Sequence, residues 1–458
     1  MDNSGFGAGR LDRLAVRRGF LANVSETVRD TPVIRVDDGH WLARSLRRLF
    51  ASRPTTLALF AVPAGLLVAG VVSWVIHWRL GVDSAVYRSG AIALLTGEPL
   101  YDNDFLSSEP PWARLPFTYP PTGALLFIPL ALFATQVSWG ILGAVSVLAL
   151  ALVIRTAIQA LPRRPSWLTP AKTTILLTVL ALGIEPVWRT LLLGQINLIL
   201  MALVVTDVLV LGAAQGRARH LGGVLVGVAA AVKLTPLIFV PHLWLIGRRK
   251  DAVRALATFA VLQGLIFAII PHDFARFWTV AVTDPARTGP TFWAGNQSLN
   301  GLVLRLSDLA PWALAAAIGI GAVLAVPAVY LARRFHLGGQ PLPALLVTAF
   351  FGLLLSPVSW SHHYVWVVPL VVYLLSRLPD ELPHGAARVR VLAGLGAVVA
   401  VFASCVLLIM RTSDPSRPPG VKPELEWTPP EVVLGSAYLL VPLVAGLVLL
   451  FRIRRTGR

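Results

Sequence analysis

One stretch of the sequence decides the class of fold: "VSWGILGAVSVLALALVIRTAIQA", residues 137–160. Its only charged residue is Arg155. A helix of about 20 apolar residues is long enough to cross the roughly 30 Å hydrocarbon core of a bilayer. This stretch therefore predicts a membrane-spanning helix.

The composition extends this prediction to the whole chain. Of the 458 residues, 56% are hydrophobic and 14% are charged, whereas soluble proteins carry about 25% charged residues. We predict apolar segments at 57–76, 119–134, 137–160, 173–192, 196–214, 221–246, 255–271, 312–332, 342–357, 361–376, 391–410 and 432–451. The sequence thus favours an all-α polytopic membrane protein of about 12 membrane segments, some of them re-entrant.

The formal charge of +17 has a topological explanation. In a soluble protein it would suggest nucleic-acid binding, but here the basic residues lie in short loops and form no continuous basic face. The single cysteine, Cys405, lies in an apolar segment. An intrachain disulfide is therefore excluded, and redox chemistry is disfavoured.

The loops between the apolar segments predict the orientation of the chain. The loops at 161–172, 215–220, 247–254, 333–341, 377–390 and 452–458 together hold 18 Lys and Arg against 3 Asp and Glu. By the positive-inside rule these loops face the cytoplasm. This assignment requires two irregular segments, 117–133 and 220–246, to return to the side from which they start.

The resulting organisation has three parts. We predict a cytoplasmic basic tail at 1–56, a membrane domain at 57–451 and a cytoplasmic basic tail at 452–458. The first tail contains a predicted amphipathic helix at 40–50 on the membrane surface. Long loops face the other side of the membrane, at 77–118, 271–311 and 411–431.

Polar and ionisable residues collect on this outer side. Asp83, at the start of the first outer loop, is the sharpest candidate, because an ionisable group at bilayer depth marks function by default. We predict that it acts as a general base towards a hydroxyl group. The alternative is a structural ion pair with Arg79 or Arg88.

Three further sites could bind or move charge. His362 and His363 form an adjacent pair able to relay a proton or bind phosphate, and we expect one to touch substrate and the other to support it. Lys233 lies inside an apolar segment and is a candidate for phosphate binding. Arg189 is a second candidate, or else an ion-pair partner of Glu185.

The remaining candidates are polar and aromatic residues on the same side. We predict that substrate is bound by Tyr87, Tyr119, Gln195, Asn197, Asn296, Gln297 and Trp360. The triplet "DND" at 102–104 resembles a D-x-D metal motif, but the topology places it outside, away from cytosolic nucleotide sugars. We therefore predict no metal and no cofactor.

Six motifs occur in an order that resembles the actinobacterial glycosyltransferases of family GT87, which use polyprenyl-phosphate sugars. They are "GVDSAVYRSGAIALLTGEPLYD", "FTYPPTGALLFIPL", "GQINLILMALVVTDVL", "GVAAAVKLTPLIF", "GNQSLNGL" and "SPVSWSHHY". The resemblance runs from about Gly81 to Tyr364. It implies a GT-C architecture, with Asp83 as the base and His362 or His363 near the donor phosphate.

The resemblance implies a specific reaction at the plasma membrane. The family includes α-(1→2)-mannosyltransferases that extend phosphatidylinositol mannosides and lipomannan, using polyprenyl-phosphate mannose on the extracytoplasmic face. A single displacement with Asp83 as base would invert the donor linkage. The alternatives are an arabinofuranosyltransferase that uses polyprenyl-phosphate arabinose and, in a different class, a transporter or lipid flippase. The expected partners are the lipid-linked donor, a glycolipid acceptor and membrane lipids, without nucleic acid, and the sequence does not determine the oligomeric state.

Overall fold

The fold is helical throughout the part of the chain that the structure, a computed structural model, describes: residues 53–378, 386–413 and 421–456. In the first half, the α-helices are Arg53–Val75, Val82–Thr96, Pro121–Leu126, Ile128–Ala131, Thr135–Gln159, Lys172–Ala181, Glu185–Leu193, Asn197–Val205 and Val224–Val232. In the second half, they are Phe239–Leu245, Arg249–Ile269, Pro271–Arg276, Leu299–Leu306, Ala313–Leu337, Pro341–Leu355, Val367–Leu375, Ala386–Ala403, Val406–Ile409, Pro429–Gly435 and Ala437–Thr456.

Shorter elements lie between these helices. The 3-10 helices are Leu211–Ala213, Gly216–Leu221, Thr235–Ile238, Pro285–Thr288, Ser361–Trp366 and Pro423–Glu426, and the π-helical turns are Thr206–Val210 and Phe277–Ala281. Asn296 and Trp360 form an isolated antiparallel bridge. The predicted helix at 40–50 lies outside the described residues.

The helix lengths confirm a multi-pass membrane protein. Among the described residues, three helices are long and apolar enough to span a membrane, and two bent helix pairs raise that number to five if each pair is one span. Shorter apolar helices are Phe60–Val75, Asn197–Ala213, Thr235–Leu245, Pro341–Leu355, Ser361–Leu375 and Val389–Ala403. The count of about 12 segments and the cytoplasmic position of both termini stay predictions.

The sequence predicts single apolar segments at 173–192 and 432–451. The structure corrects this prediction, because each segment is broken into two helices that meet at a bend. In the first, the helices Lys172–Ala181 and Glu185–Leu193 meet at 73°. In the second, the bend beside Ser436 is 81°. Pro186 and the Pro429–Pro430 pair each lie in the first turn of a helix, where proline is well tolerated because the N–H that it lacks has no partner inside the helix. Gly183 lies at the first break and Gly435 at the second, but glycine is also frequent inside membrane-spanning helices and does not by itself mark a helix end.

The helix Thr135–Gln159 lies at the centre of the fold. Its apolar window is 67% buried inside the protein, against 22% for Arg249–Ile269 and 17% for Ala313–Leu337, which expose most of their surface. The central helix packs closely on Arg53–Val75, where the small residues Gly70 and Gly140 let the two backbones approach. This packing supports the surrounding shorter helices that carry the site.

Candidate functional site

Asp83 lies in the first turn of the helix Val82–Thr96. Gly81 precedes this helix with a φ of 74°, a left-handed conformation that glycine adopts without strain. The carboxylate therefore lies where the free N–H groups and the helix dipole favour a negative charge. It is half-buried.

The turn that carries Gln195 packs against the start of this helix. Gly194, with a φ of 70°, ends the helix Glu185–Leu193, and both Gly81 and Gly194 face Ser84 and the Trp139 ring. Side chains at either glycine would collide with these two residues. Trp139 Nε1 also donates to the Leu191 carbonyl oxygen at 2.7 Å. The glycines thus allow residues about 110 positions apart in sequence to meet.

Gln195 joins two tyrosines beside Asp83. Its Oε1 accepts a hydrogen bond from the Tyr87 hydroxyl at 2.7 Å and another from the Tyr119 hydroxyl at 3.3 Å. The two hydroxyl oxygens are 2.8 Å apart. Three of the seven predicted substrate-binding residues therefore form one cluster with the predicted base.

Lys233 lies at the break predicted in segment 220–246. The helix Val224–Val232 ends there, because Lys233 has an extended backbone (φ −148°, ψ 131°). Its Nζ donates to Asn197 Oδ1 at 3.1 Å and lies 3.2 Å from His363 Nε2. The ammonium also lies 5.5 Å from the centre of the Tyr119 ring, so Lys233 connects the tyrosine cluster to the histidines.

The two histidines lie on the 3-10 helix Ser361–Trp366. Because this turn is not extended, both rings lie in one region, 4.8 Å apart and nearly perpendicular. The His362 carbonyl oxygen accepts from Thr190 Oγ1 and Asn197 Nδ2, both at 3.2 Å. His362 Nε2 is buried without a hydrogen-bond partner. Of the two rings, that of His363 contacts Lys233.

Arg189 pairs with Glu185, one of the two arrangements expected from the sequence. Its Nη1 is 3.6 Å from Glu185 Oε1, and its positive charge also acts on Asp83. The alternative role of Asp83 was an ion pair with Arg79 or Arg88. Arg88 does not support it, because its Nε donates to the Phe133 carbonyl oxygen at 2.7 Å. The positive charges that act on Asp83 belong to Lys233 and Arg189.

The surroundings of Asp83 suit a group that exchanges protons near neutral pH. Burial raises the pKa of its carboxyl to about 6 from an ordinary value of 3.8. A hydrogen bond with Gln195 and the charges of Lys233 and Arg189 oppose this rise. At neutral pH the carboxylate is mostly ionised and able to accept a proton.

The side chains of Asn296 and Gln297 lie outside the tyrosine cluster and form hydrogen bonds with backbone groups. The Asn296 Oδ1 accepts from the Ser359 N–H at 2.9 Å, and the Gln297 Nε2 donates to the Gly435 carbonyl oxygen at 2.7 Å. Both side chains are fully buried. The Asn296 contact joins the second outer loop to the segment that carries the histidines, and the Gln297 contact joins it to the end of the helix Pro429–Gly435. Substrate binding by the two amides stays a prediction.

Trp360 is half-buried on the same segment. Its ring centre lies 6.4 Å from that of Trp293. Binding of substrate by Trp360 likewise stays a prediction.

A cavity opens beside Lys233 and His363. Asn197 and Ser359 also line its polar part. Much of the remaining wall is apolar and includes Leu200, Met201, Val204, Phe239, Leu353 and Trp366. A cavity with one lysine among its polar wall residues and apolar side chains beside them is suited to an amphiphile with an anionic head.

The first aspartate of the "DND" triplet, Asp102, pairs with two side chains. Asp102 lies 3.0 Å from both His272 Nε2 and Arg276 Nε. Among the described residues, no group of three or more His, Cys, Asp or Glu is arranged to hold a metal ion.

Sequence reasoning missed the partners that support the histidines. Ser361 Oγ and the Tyr438 hydroxyl both donate to Glu185, and Thr190 holds the His362 carbonyl oxygen. A glutamate and a tyrosine inside two apolar segments were the available signal. Neither residue indicates its partner, because the pairing spans most of the chain.

The fold and the site together define a multi-pass membrane protein with a polar, charged site beside an apolar cavity. The family model described as glycosyltransferase family 87 matches residues 117–357, more than half of the chain. The chain belongs to this family. Family membership confirms the prediction of a glycosyltransferase rather than a transporter. Asp83, His362 and His363 lie outside the matched residues.

Three similar proteins have related names. The Mycobacterium tuberculosis polyprenol-phosphate-mannose-dependent alpha-(1-2)-phosphatidylinositol mannoside mannosyltransferase is 33% identical over 67% of this chain and 74% of its own length. The Mycolicibacterium smegmatis protein of the same name is 33% identical over 67% and 73%.

A second M. smegmatis protein is named a polyprenol-phosphate-mannose-dependent alpha-(1-2)-phosphatidylinositol pentamannoside mannosyltransferase. It is 34% identical over 64% of this chain and 69% of its own length. No solved structure matches the chain.

Proposed function

We propose that this protein transfers a mannosyl residue from polyprenyl-phosphate mannose to a phosphatidylinositol mannoside. In this proposal the reaction forms an α-(1→2) linkage on the outer face of the plasma membrane. One observation carries the proposal: a half-buried carboxylate, Asp83, lies in the same cluster as a lysine–histidine pair at the end of an apolar cavity. Family membership supports glycosyl transfer as the reaction.

The donor side consists of Lys233, His363 and the cavity. The Lys233 ammonium is the cation nearest the polar end and binds the donor phosphate, while His363 orients that ammonium. The first part of the polyprenyl chain lies along the apolar wall. Arg189 adds positive charge close to the same place, although its pairing with Glu185 moderates that charge.

The acceptor side consists of Asp83 and the tyrosine cluster. An acceptor hydroxyl loses its proton to Asp83 as its oxygen bonds to the anomeric carbon. The bond between that carbon and the phosphate oxygen breaks, and polyprenyl phosphate leaves with the electron pair. One carboxylate is sufficient because phosphate leaves readily, whereas glycosidases use a second carboxyl group as an acid. A single displacement converts a β-linked donor into an α-linked product.

The length of the acceptor is not distinguished by similarity. The relatives named for phosphatidylinositol mannoside and for the pentamannoside are 33% and 34% identical to this chain. Acceptors with different numbers of mannoses therefore belong in the first assay. Lipomannan is the longest acceptor to include.

The test uses the full chain purified into lipid nanodiscs, with radiolabelled polyprenyl-phosphate mannose and each acceptor in turn. We expect transfer by the wild type and a loss of at least about 100-fold in Asp83→Asn, a loss that general-base catalysis explains. Asp104→Asn is the matched control, because Asp104 is an exposed aspartate of the same loop. It should retain wild-type activity.

Three outcomes would contradict the proposal. Equal rates for Asp83→Asn and the wild type would remove Asp83 as the base. Transfer from polyprenyl-phosphate arabinose, but not from the mannose donor, would make the protein an arabinofuranosyltransferase. Transfer detected only on the inner face of sealed, oriented vesicles would overturn the proposed orientation.

A further inference from the structure

Glu185 is a buried carboxylate that the proposed reaction does not use. It begins the helix Glu185–Leu193, directly after the 73° bend, and its side chain is 0% exposed. A buried carboxylate is costly unless charge and hydrogen bonds compensate for its lost hydration. Its partners therefore show what it holds in place.

Three side chains meet the two Glu185 oxygens. Ser361 Oγ donates to Oε1 at 2.8 Å, and the Tyr438 hydroxyl donates to Oε2 at 3.1 Å. Arg189 Nη1 lies 3.6 Å from Oε1. Two hydroxyl donors and one guanidinium are the partners expected of an ionised carboxylate.

Each partner connects Glu185 to a different part of the site. Ser361 directly precedes His362 and His363 in the chain. Arg189 lies one helical turn after Glu185, and its positive charge acts on both Asp83 and His362. The carboxylate thus touches both the histidine turn and a cation of the site.

Tyr438 extends this connection to the C-terminal helix Ala437–Thr456. Its ring centre lies 4.2 Å from that of Phe402 and 5.6 Å from that of Tyr364, and the Tyr438 side chain is fully buried. Tyr438 is therefore held by packing and gives Glu185 a rigid second anchor. The C-terminal helix lies outside the part of the chain that the family model matches.

We propose that Glu185 is a positioning residue, which fixes the His362–His363 turn through Ser361 and the Arg189 guanidinium through charge, with Tyr438 as its anchor. This inference rests on the proposed function, because positioning matters there for donor binding and displacement. Small displacements of reacting groups cost large factors in rate. Glu185 itself touches neither substrate nor the reacting atoms in this account.

Two substitutions separate its hydrogen bonds from its charge. Glu185→Gln keeps the length of the side chain and an oxygen that accepts from Ser361, while Tyr438 can accept from the new amide. Glu185→Ala removes all three contacts. We expect kcat to fall about 10- to 100-fold in Glu185→Ala, the size that loss of hydrogen bonds to a charged group suggests, and less than about 5-fold in Glu185→Gln.

The matched control is Glu424→Ala. Glu424 is also a buried carboxylate, 1% exposed, and accepts from the N–H and Oγ of Ser413 at 2.9 and 2.6 Å. It belongs to the outer loop near the C-terminal helix rather than to the charged cluster. We expect its kcat to stay within about 3-fold of the wild type.

The pH profile gives a readout that a purely structural role would not move. The charged and titratable groups acting on Asp83 or next to it are Lys233, Arg189, Tyr87 and Tyr119, with the two histidines beside Lys233. Without the Glu185 charge, Arg189 is no longer neutralised and favours ionised Asp83 more strongly. The acidic limb of log kcat/KM should move down by about half to one pH unit in both Glu185 variants, and not in Glu424→Ala.

A measurement without turnover separates failure of this inference from failure of the proposed function. Hydrogen–deuterium exchange in nanodiscs should quicken at residues 361–366 in Glu185→Ala and Tyr438→Phe, while Glu185→Gln and Glu424→Ala match the wild type. Unchanged exchange in Glu185→Ala would overturn the inference. So would equal losses of kcat in Glu185→Ala and Glu424→Ala with unmoved pH profiles.

Discussion

Lys233 Nζ lies 3.2 Å from His363 Nε2, although 130 residues separate the two in sequence. The contact joins the break after the helix Val224–Val232 to the 3-10 helix Ser361–Trp366. Asn197 reinforces it from both sides, since its Oδ1 accepts from Lys233 and its Nδ2 donates to the His362 carbonyl oxygen. The lysine, the histidine turn and the turn at 194–197 ("GQIN") therefore form one hydrogen-bonded unit at the cavity.

Replacing Lys233 tests the phosphate site. Lys233→Met keeps most of the side-chain volume but removes the charge. We expect kcat/KM for the donor to fall about 10- to 150-fold, the equivalent of about 1.5–3 kcal/mol for a hydrogen bond to a charged group. Lys172→Met, at an exposed lysine, is the control and should leave kcat/KM unchanged. An unchanged donor kcat/KM in Lys233→Met would place the phosphate elsewhere.

The pH dependence of the wild type tests the role of Asp83. Since the base must be ionised, log kcat/KM should rise with a slope of one as the pH increases towards about 6, the pKa of Asp83, and level off above it. Steady-state rates from pH 4.5 to 8, with stability checked at each pH, give this profile. A flat profile through pH 6, or activity that falls as the pH rises through it, would contradict the assignment.

The contact between His363 and Lys233 predicts which histidine matters more for the donor. His363→Ala leaves the ammonium without this neighbour, so we expect the donor KM to rise about 10-fold. His272→Ala, at an exposed histidine, serves as the control. Donor titrations at saturating acceptor measure the effect, and a KM equal to that of the wild type would exclude His363 from donor binding.

The close approach of the first two long helices predicts a stability effect. A methyl group at Gly70 would lie 2.7 Å from the Gln136 carbonyl oxygen and 3.1 Å from Gly140 Cα, both backbone atoms. Gly70→Ala should therefore lower the free energy of unfolding by about 1–3 kcal/mol. Gly65→Ala, in the same helix, meets nothing within 4 Å and should not destabilise the protein. Unfolding in mixed micelles compares the two variants, and equal stabilities would refute the predicted clash.

The absence of a metal requirement remains a prediction from the sequence. Since Asp102 already pairs with His272 and Arg276, we expect mannosyl transfer to continue at the same rate after dialysis against a chelator. Restoration of a lost rate by added Mg²⁺ or Mn²⁺ would show that a metal takes part. The assay needs donor and acceptor free of divalent cations.

Several features could be predicted from the sequence because they depend on local composition. Apolar runs predict membrane helices whatever their neighbours, since a spanning backbone must satisfy its hydrogen bonds internally. Proline beside a lone lysine predicted the break at Lys233. The break between Ala181 and Glu185 was missed, because glycine and proline, here Gly183 and Pro186, also occur inside membrane-spanning helices and so do not by themselves mark a break.

The sequence by itself determined the class of this protein: a helical membrane enzyme of glycosyltransferase family 87, with Asp83, Lys233 and the histidines as candidates. Only the tertiary structure decided which candidates meet. It grouped Asp83 with Gln195 and the tyrosines, paired Lys233 with His363, and directed the Asn296 and Gln297 side chains to backbone groups. The physical reason is that apolarity is a property of each residue, whereas a hydrogen bond requires two groups whose distance depends on the packing of the whole chain.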